Sequence, residues 1–167
     1  MSVRVATVVL AVVAALLETS VAPYLTVSGI TPDLVLICAV GLAVFIGSEE
    51  GFFAAFVGGM ILDILIAPAR PLGATTLALL VATGIGVSLI RFIGPGRIHT
   101  MLILVFGLTF VLRAILAAVM MLVTDAEVTV DPLGTMLPAA LLNTIIATPI
   151  ALIGRRAWFR WGERAEW

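Results

Sequence analysis

The chain has 167 residues, of which 62% are hydrophobic and only 11% charged, with a formal net charge of −1. That composition excludes a soluble globular domain and fits one integral membrane domain, and the near-neutral charge argues against nucleic-acid binding. One cysteine, Cys38, and one histidine, His99, exclude a disulfide framework and a thiolate or imidazole metal cluster.

A membrane span needs about 20 apolar residues. Six candidate spans follow, over about 4–26, 33–47, 51–67, 72–92, 101–123 and 133–153. In the first, Arg4 precedes the apolar run Val5–Leu17, as in a signal peptide. However, Pro23 directly follows the small-residue pattern Ser20-Val21-Ala22, and apolar character resumes through Val27, so a retained span is predicted. Ala11 and Ala15 give this span a short small-residue seam, and Glu18 lies beyond it.

Thr31-Pro32-Asp33 opens the second span with a cap residue, a proline in the first turn and an acid near the positive helix end. The second and third spans are short and joined only by Gly47-Ser48-Glu49-Glu50-Gly51, which predicts either a thin transmembrane hairpin or a re-entrant pair. The third span holds Gly51, Ala55, Gly59 and Asp63 at four-residue spacing, on one helix face. Such a seam lets another helix approach closely, and Gly51, Ala55 and Gly59 are candidates for receiving a partner helix. The seam ends in a carboxylate that costs about 2.5–3.5 kcal/mol to place in hydrocarbon, so Asp63 is predicted to face protein.

The segment Pro68-Ala69-Arg70-Pro71-Leu72-Gly73 is a proline-bounded outer turn in which Arg70 is solvated or reaches Asp33. Ala74, Ala78, Ala82 and Gly86 form a second seam suited to internal packing. The fifth span contains Arg113, and the loop after it, Thr124–Pro132, holds Asp125, Glu127 and Asp131. Asn143 lies inside the sixth span and Pro149 is predicted to kink it. Residues 154–167 mix Arg155, Arg156, Arg160 and Arg164 with Trp158, Trp161 and Trp167, the composition of an interfacial tail on an anionic leaflet. The division is thus a six-helix membrane domain over 1–153 and a cytoplasmic tail over 154–167.

Arginine placement sets the orientation. With the N-terminus inside, the inner segments hold Arg4, Arg91, Arg97, Arg155, Arg156, Arg160 and Arg164, against Arg70 alone in the outer loops. Both termini are therefore predicted cytoplasmic. The first, third and fifth spans then run outward, and Asp63 and Arg113 each lie about 18 Å from the inner end. Glu18 reaches a similar level and Asn143 enters from the other side, so Glu18, Asp63, Arg113 and Asn143 converge on one buried polar layer. Arg113 is predicted to be the counter-ion of Asp63, Glu18 or both, because an unpaired charge there costs more than a pair. Such a layer can fix helix register, line a ligand or lipid head-group cavity, or carry ions or protons.

No Ser/His/Asp set, phosphate loop or intramembrane histidine is present, so neither an enzyme nor a cofactor is predicted. Pro32-Asp33 at a span start, Gly58-Gly59 with Asp63, and Pro71-Leu72-Gly73 together resemble the rod shape-determining protein MreD family. The likeness extends over most of the chain, with the acidic turn Glu49-Glu50 standing where a basic or neutral turn belongs. It implies a non-enzymatic subunit of the bacterial elongation machinery in the inner membrane. MreC would be its direct partner, with MreB and the peptidoglycan polymerase–transpeptidase pair linked indirectly and lipids around it. It also implies a six-helix bundle resembling the substrate-binding subunits of energy-coupling-factor transporters. The competing function is therefore a small-molecule-binding subunit of a vitamin-type transporter, with Ala11 and Ala15 as its docking face.

Overall fold

The computed structural model describes residues 3–26, 29–67, 71–124 and 132–161. Six α-helices account for most of them: α1 (Val3–Ser20), α2 (Leu34–Phe45), α3 (Ser48–Ile66), α4 (Ala74–Ile93), α5 (Ile98–Thr124) and α6 (Leu137–Trp161). A 3-10 turn, Ala22–Leu25, follows α1, and one π-helical turn, Pro132–Met136, leads into α6. Helix ends fall where the sequence withdraws backbone donors or needs unusual dihedrals. Pro23 sits in the first turn of the 3-10 segment after α1. Gly73, at φ 90°, is the N-cap of α4, a left-handed conformation that glycine adopts without strain. His99, which the candidate spans 72–92 and 101–123 leave between them, lies in the first turn of α5.

Among the described residues, four helices are long and apolar enough to cross a membrane by length and composition: α1, α4, Ile98–Val123 within α5 and Leu133–Arg156 around α6. This is an all-helical membrane bundle. Along the middle of the helices the exposed positions are largely apolar, as in Val9, Leu16, Ile64, Leu77, Ile103 and Ile145, and small residues fill much of the interior.

The second span departs from a full crossing. α2 has twelve residues, a length of about 18 Å against about 30 Å of hydrocarbon. Nine of the twelve are buried, which fits a helix that is apolar all round. It forms the axis of the molecule, and the other five helices pack around it in the order α1, α3, α4, α5, α6. The bundle has two ends. At the terminal end, Thr7 of α1 meets Glu50 of α3, Gly96 N–H donates to Val44 O at 2.9 Å, and Gly154 of α6 lies against Phe45. At the opposite, loop end stand the starts of α2, α4 and α6.

The small-residue seams are taken up inside the chain. A Cβ on Gly51 would stand 2.5 Å from Ala43 of α2, and one on Gly59 would stand 2.7 Å from the backbone of Thr76 in α4. Ala55 is fully buried, and a Cβ on neighbouring Gly58 would meet Val35 at 2.5 Å. Gly51, Ala55 and Gly59 therefore do not form a surface for a partner helix, because α2 and α4 already sit against them. Ala11 and Ala15 are likewise fully buried, which removes them as an external docking face. The Ala74–Gly86 seam does serve internal packing: Ala78 and Ala82 are fully buried, and Gly86 lies against Leu108 of α5.

Candidate functional site

Because α2 is short, its N-terminus starts inside the bundle. A helix start carries up to four unpartnered N–H groups, and burial makes each of them costly. The chain answers with side chains from three other helices. Asp33 N–H donates to Asn143 Oδ1 at 2.8 Å, and Val35 N–H donates to Glu18 Oε2 at 2.8 Å. Asn143, fully buried on α6, returns Nδ2–H to Asp33 Oδ2 at 2.9 Å and to Thr109 Oγ1 at 3.0 Å. Arg113 on α5 closes the cluster, donating from Nη2 to Asp33 Oδ2 at 3.1 Å and to Thr31 O at 3.0 Å. The ion pair is mostly sheltered, with side-chain exposures of 22% and 17%.

Asp63 stands in a separate cluster. It is 3% exposed, and its two oxygens accept Thr75 N–H at 2.9 Å, Thr76 N–H at 3.0 Å and Thr76 Oγ1–H at 2.6 Å. Gly73 at the N-cap of α4 has no side chain to cap with, so the carboxylate of α3 does that work from across the helix pair. Its negative charge faces the positive end of α4, which supplies the compensation a counter-ion would otherwise give.

Glu18, Arg113 and Asn143 thus meet around the start of α2, while Asp63 sits at the start of α4. The counter-ion assignment changes. Arg113 pairs with Asp33, not with Asp63 or Glu18, whose carboxylates are held by N–H groups of α4 and α2. Asp33 occupies the N-cap position, and its side chain turns to Arg113 and Asn143 instead of capping its own helix. Thr31, read as the cap, instead gives its carbonyl to Arg113. Arg70, the loop residues 125–131 and the tail beyond 161 lie outside the described residues, as do the side chains of the tail from 157 onward.

Asp33, Thr109, Thr75 and Thr76 were not singled out as members of the polar layer, yet each holds a bond in it. A depth count could have found Asp33: it lies twelve residues before Phe45, about 18 Å from the terminal end, the level already assigned to Arg113.

At the terminal end, Arg4 and Glu49 pair at 3.4 Å with side chains 76% and 84% exposed, a contact worth well under about 1 kcal/mol. Thr7, itself buried, donates to Glu50 at 2.5 Å and ties α1 to α3. Glu49 and Glu50 lie in the first turn of α3, where negative charge suits the helix dipole, which gives the acidic turn a local reason.

Chemically, these clusters are clamps. Among the described residues, the loop-end carboxylates Glu18, Asp33 and Asp63 are each bonded to a helix start, an amide or a guanidinium, and none of them forms a nucleophile–base pair. Among the described residues there is no group of His, Cys, Asp and Glu that could hold a metal ion. A lateral groove of about 440 Å³ with an almost wholly apolar lining lies elsewhere, between α1, α2 and α6, and two hollows of about 520 and 540 Å³ at the terminal end are lined in part by Arg4, Glu49 and Glu50 and by Arg155 and Arg156. No protein-family model, curated protein or solved structure matches this chain.

Proposed function

We propose that the chain is a non-enzymatic scaffold subunit of the bacterial cell-elongation machinery, multi-pass in the inner membrane, that binds MreC and supports lateral peptidoglycan synthesis. MreB and the polymerase–transpeptidase pair connect to it indirectly. What favours a scaffold over a vitamin-type carrier is the fate of the polar side chains. Glu18 and Asn143, the groups available to line a polar pocket at the loop end, are bonded to the start of α2, and the groove between α1, α2 and α6 is apolar. A water-soluble vitamin needs convergent polar contacts in its cavity. A membrane protein partner needs an apolar surface.

The residues behind the MreD resemblance agree with this reading, since they build the rigid part of the bundle. Asp33 anchors Arg113 and Asn143, Asp63 caps α4 just after Pro71-Leu72-Gly73, and Gly58 and Gly59 seat α3 against α2 and α4. The terminal end carries Arg4, Arg91, Arg97, Arg155 and Arg156, which supports placing it in the cytoplasm.

The test is co-expression with affinity-tagged MreC, followed by extraction in mild detergent. The expected result is stoichiometric recovery of this chain with MreC, and shape defects in cells depleted of it. A folded chain that fails to co-purify with MreC would overturn the proposal.

A further inference from the structure

α2 is covered on every side but one. From Leu34 to Ile46 only Leu34, Cys38, Leu42 and Ile46 are half-buried, and every residue between them is buried. At four-residue spacing these positions form one stripe of the helix. Around one helix there is room for about six others at the usual interaxial distance of about 8–10 Å. Here five surround α2, and α6 and α1, the two ends of that arc, do not pack side by side. The half-buried stripe forms much of the floor of the gap, which is the groove of about 440 Å³.

The walls are shaped for a helix. From α1, Val3, Ala6, Leu10, Val13 and Leu17 face the groove, in alternating steps of three and four residues. That is the heptad spacing by which one helix presents knobs to another, yet none of the described helices lies opposite. Ala6 and Ala14 let a backbone come close, and Ile150 and Ile153 close the α6 side. Among the described residues no charged side chain lines the groove, which runs along fourteen residue steps of α1, about 21 Å. The occupant that matches is uncharged over that length, which suits the apolar core of a membrane span and not a basic amphipathic helix.

We propose that this sixth position around α2 is filled by a single membrane-spanning helix of a partner chain, docked lengthwise between α1 and α6. The inference rests on the scaffold reading and gives it a site: the helix is the membrane span of MreC.

The native chain carries its own probe, because Cys38 is the only cysteine in the sequence and lies on the groove floor. The unaltered protein is co-expressed with cysteine-free MreC into which single cysteines are stepped through the span, and a short bis-maleimide is added to the membranes. Heterodimers are expected at every third or fourth MreC position, at least tenfold above the positions between them, and lost with Cys38→Ser. In membranes where Cys38 alone reacts with a lipid-soluble maleimide, or with Leu17→Cys on the groove wall as the probe where it does not, MreC that co-purifies but crosslinks at no position overturns the docking site and leaves the scaffold reading standing. Cys38–Cys38 products in place of heterodimers would assign the groove to a second copy of this chain. Equal reaction of Cys38 with a lipid-soluble maleimide with and without MreC would assign it to lipid. Absence of co-purification overturns both readings.

Discussion

Asp63 accepts three hydrogen bonds from the first turn of α4, and all of them are inside the protein. Asp63→Ala strands two N–H groups and a hydroxyl, so a loss of about 2–3 kcal/mol is expected, the cost of a missing cap plus unmet buried donors. Asp63→Asn keeps an acceptor oxygen and should cost about 1 kcal/mol. Thermal unfolding in detergent would show the order, and an alanine variant as stable as the parent would mean the clamp adds nothing. Arg113 gives a sharper test because its partner differs from the one depth alone suggests. Asp33→Arg and Arg113→Asp should each lose about 3 kcal/mol, since either change leaves an uncompensated charge in a sheltered site. The double exchange should recover part of that loss, held below full recovery by the Asn143 bonds that need Asp33 in place. Asp63→Arg with Arg113→Asp should recover nothing, with a coupling below about 0.5 kcal/mol, because the two residues share no partner. Recovery in that second cycle, and not in the first, would restore Asp63 as the counter-ion.

Packing between elements depends on where side chains are missing. Gly59→Leu would push against the Thr76 backbone 2.7 Å from its Cβ position, forcing α3 and α4 apart at the point where Asp63 must still reach α4. A loss above about 3 kcal/mol is expected, seen as aggregation or loss of folded protein in membranes. Gly107 is exposed and a Cβ there would meet nothing within 4 Å, so Gly107→Leu should stay within about 0.5 kcal/mol of the parent. Equal tolerance at both positions would contradict the close approach of α3 and α4. The helices themselves were legible in the sequence, because hydropathy and the Pro and Gly breaks are local signals. What the Gly51–Asp63 seam faces was not, since small residues are equally suited to an internal helix and to a foreign one. α2 shows the limit most clearly. Its shortness was visible, but hydropathy could not say that a short apolar helix is the axis of the bundle, and so that Asp33 begins at the depth of Arg113. The α1 heptad was also visible, and only the gap between α6 and α1 gives it a direction.

The whole molecule has a charge asymmetry that its helix directions turn into a topology. The starts of α1, α3 and α5 share the terminal end with Arg4, Arg91, Arg97, Arg155 and Arg156, whereas Arg113, toward the loop end, is neutralised by Asp33. Arginines near span ends resist translocation, so the terminal end is predicted to stay on the side of synthesis. Glu49 and Glu50 do not reverse this, because acidic residues weigh little in that bias and Glu50 is already held by Thr7. Alkaline phosphatase fused after Trp167 should therefore be inactive and a fluorescent protein there bright, while phosphatase inserted within Thr124–Pro132 should be active. The opposite pattern would invert the bundle. A docked span that crosses once must enter the groove from the Arg-rich end and leave beside the buried Asp33–Arg113 cluster. The rigid clamps and the open groove then have a joint role: the polar bonds fix the starts of α2 and α4, and with them the walls between which an apolar helix is held.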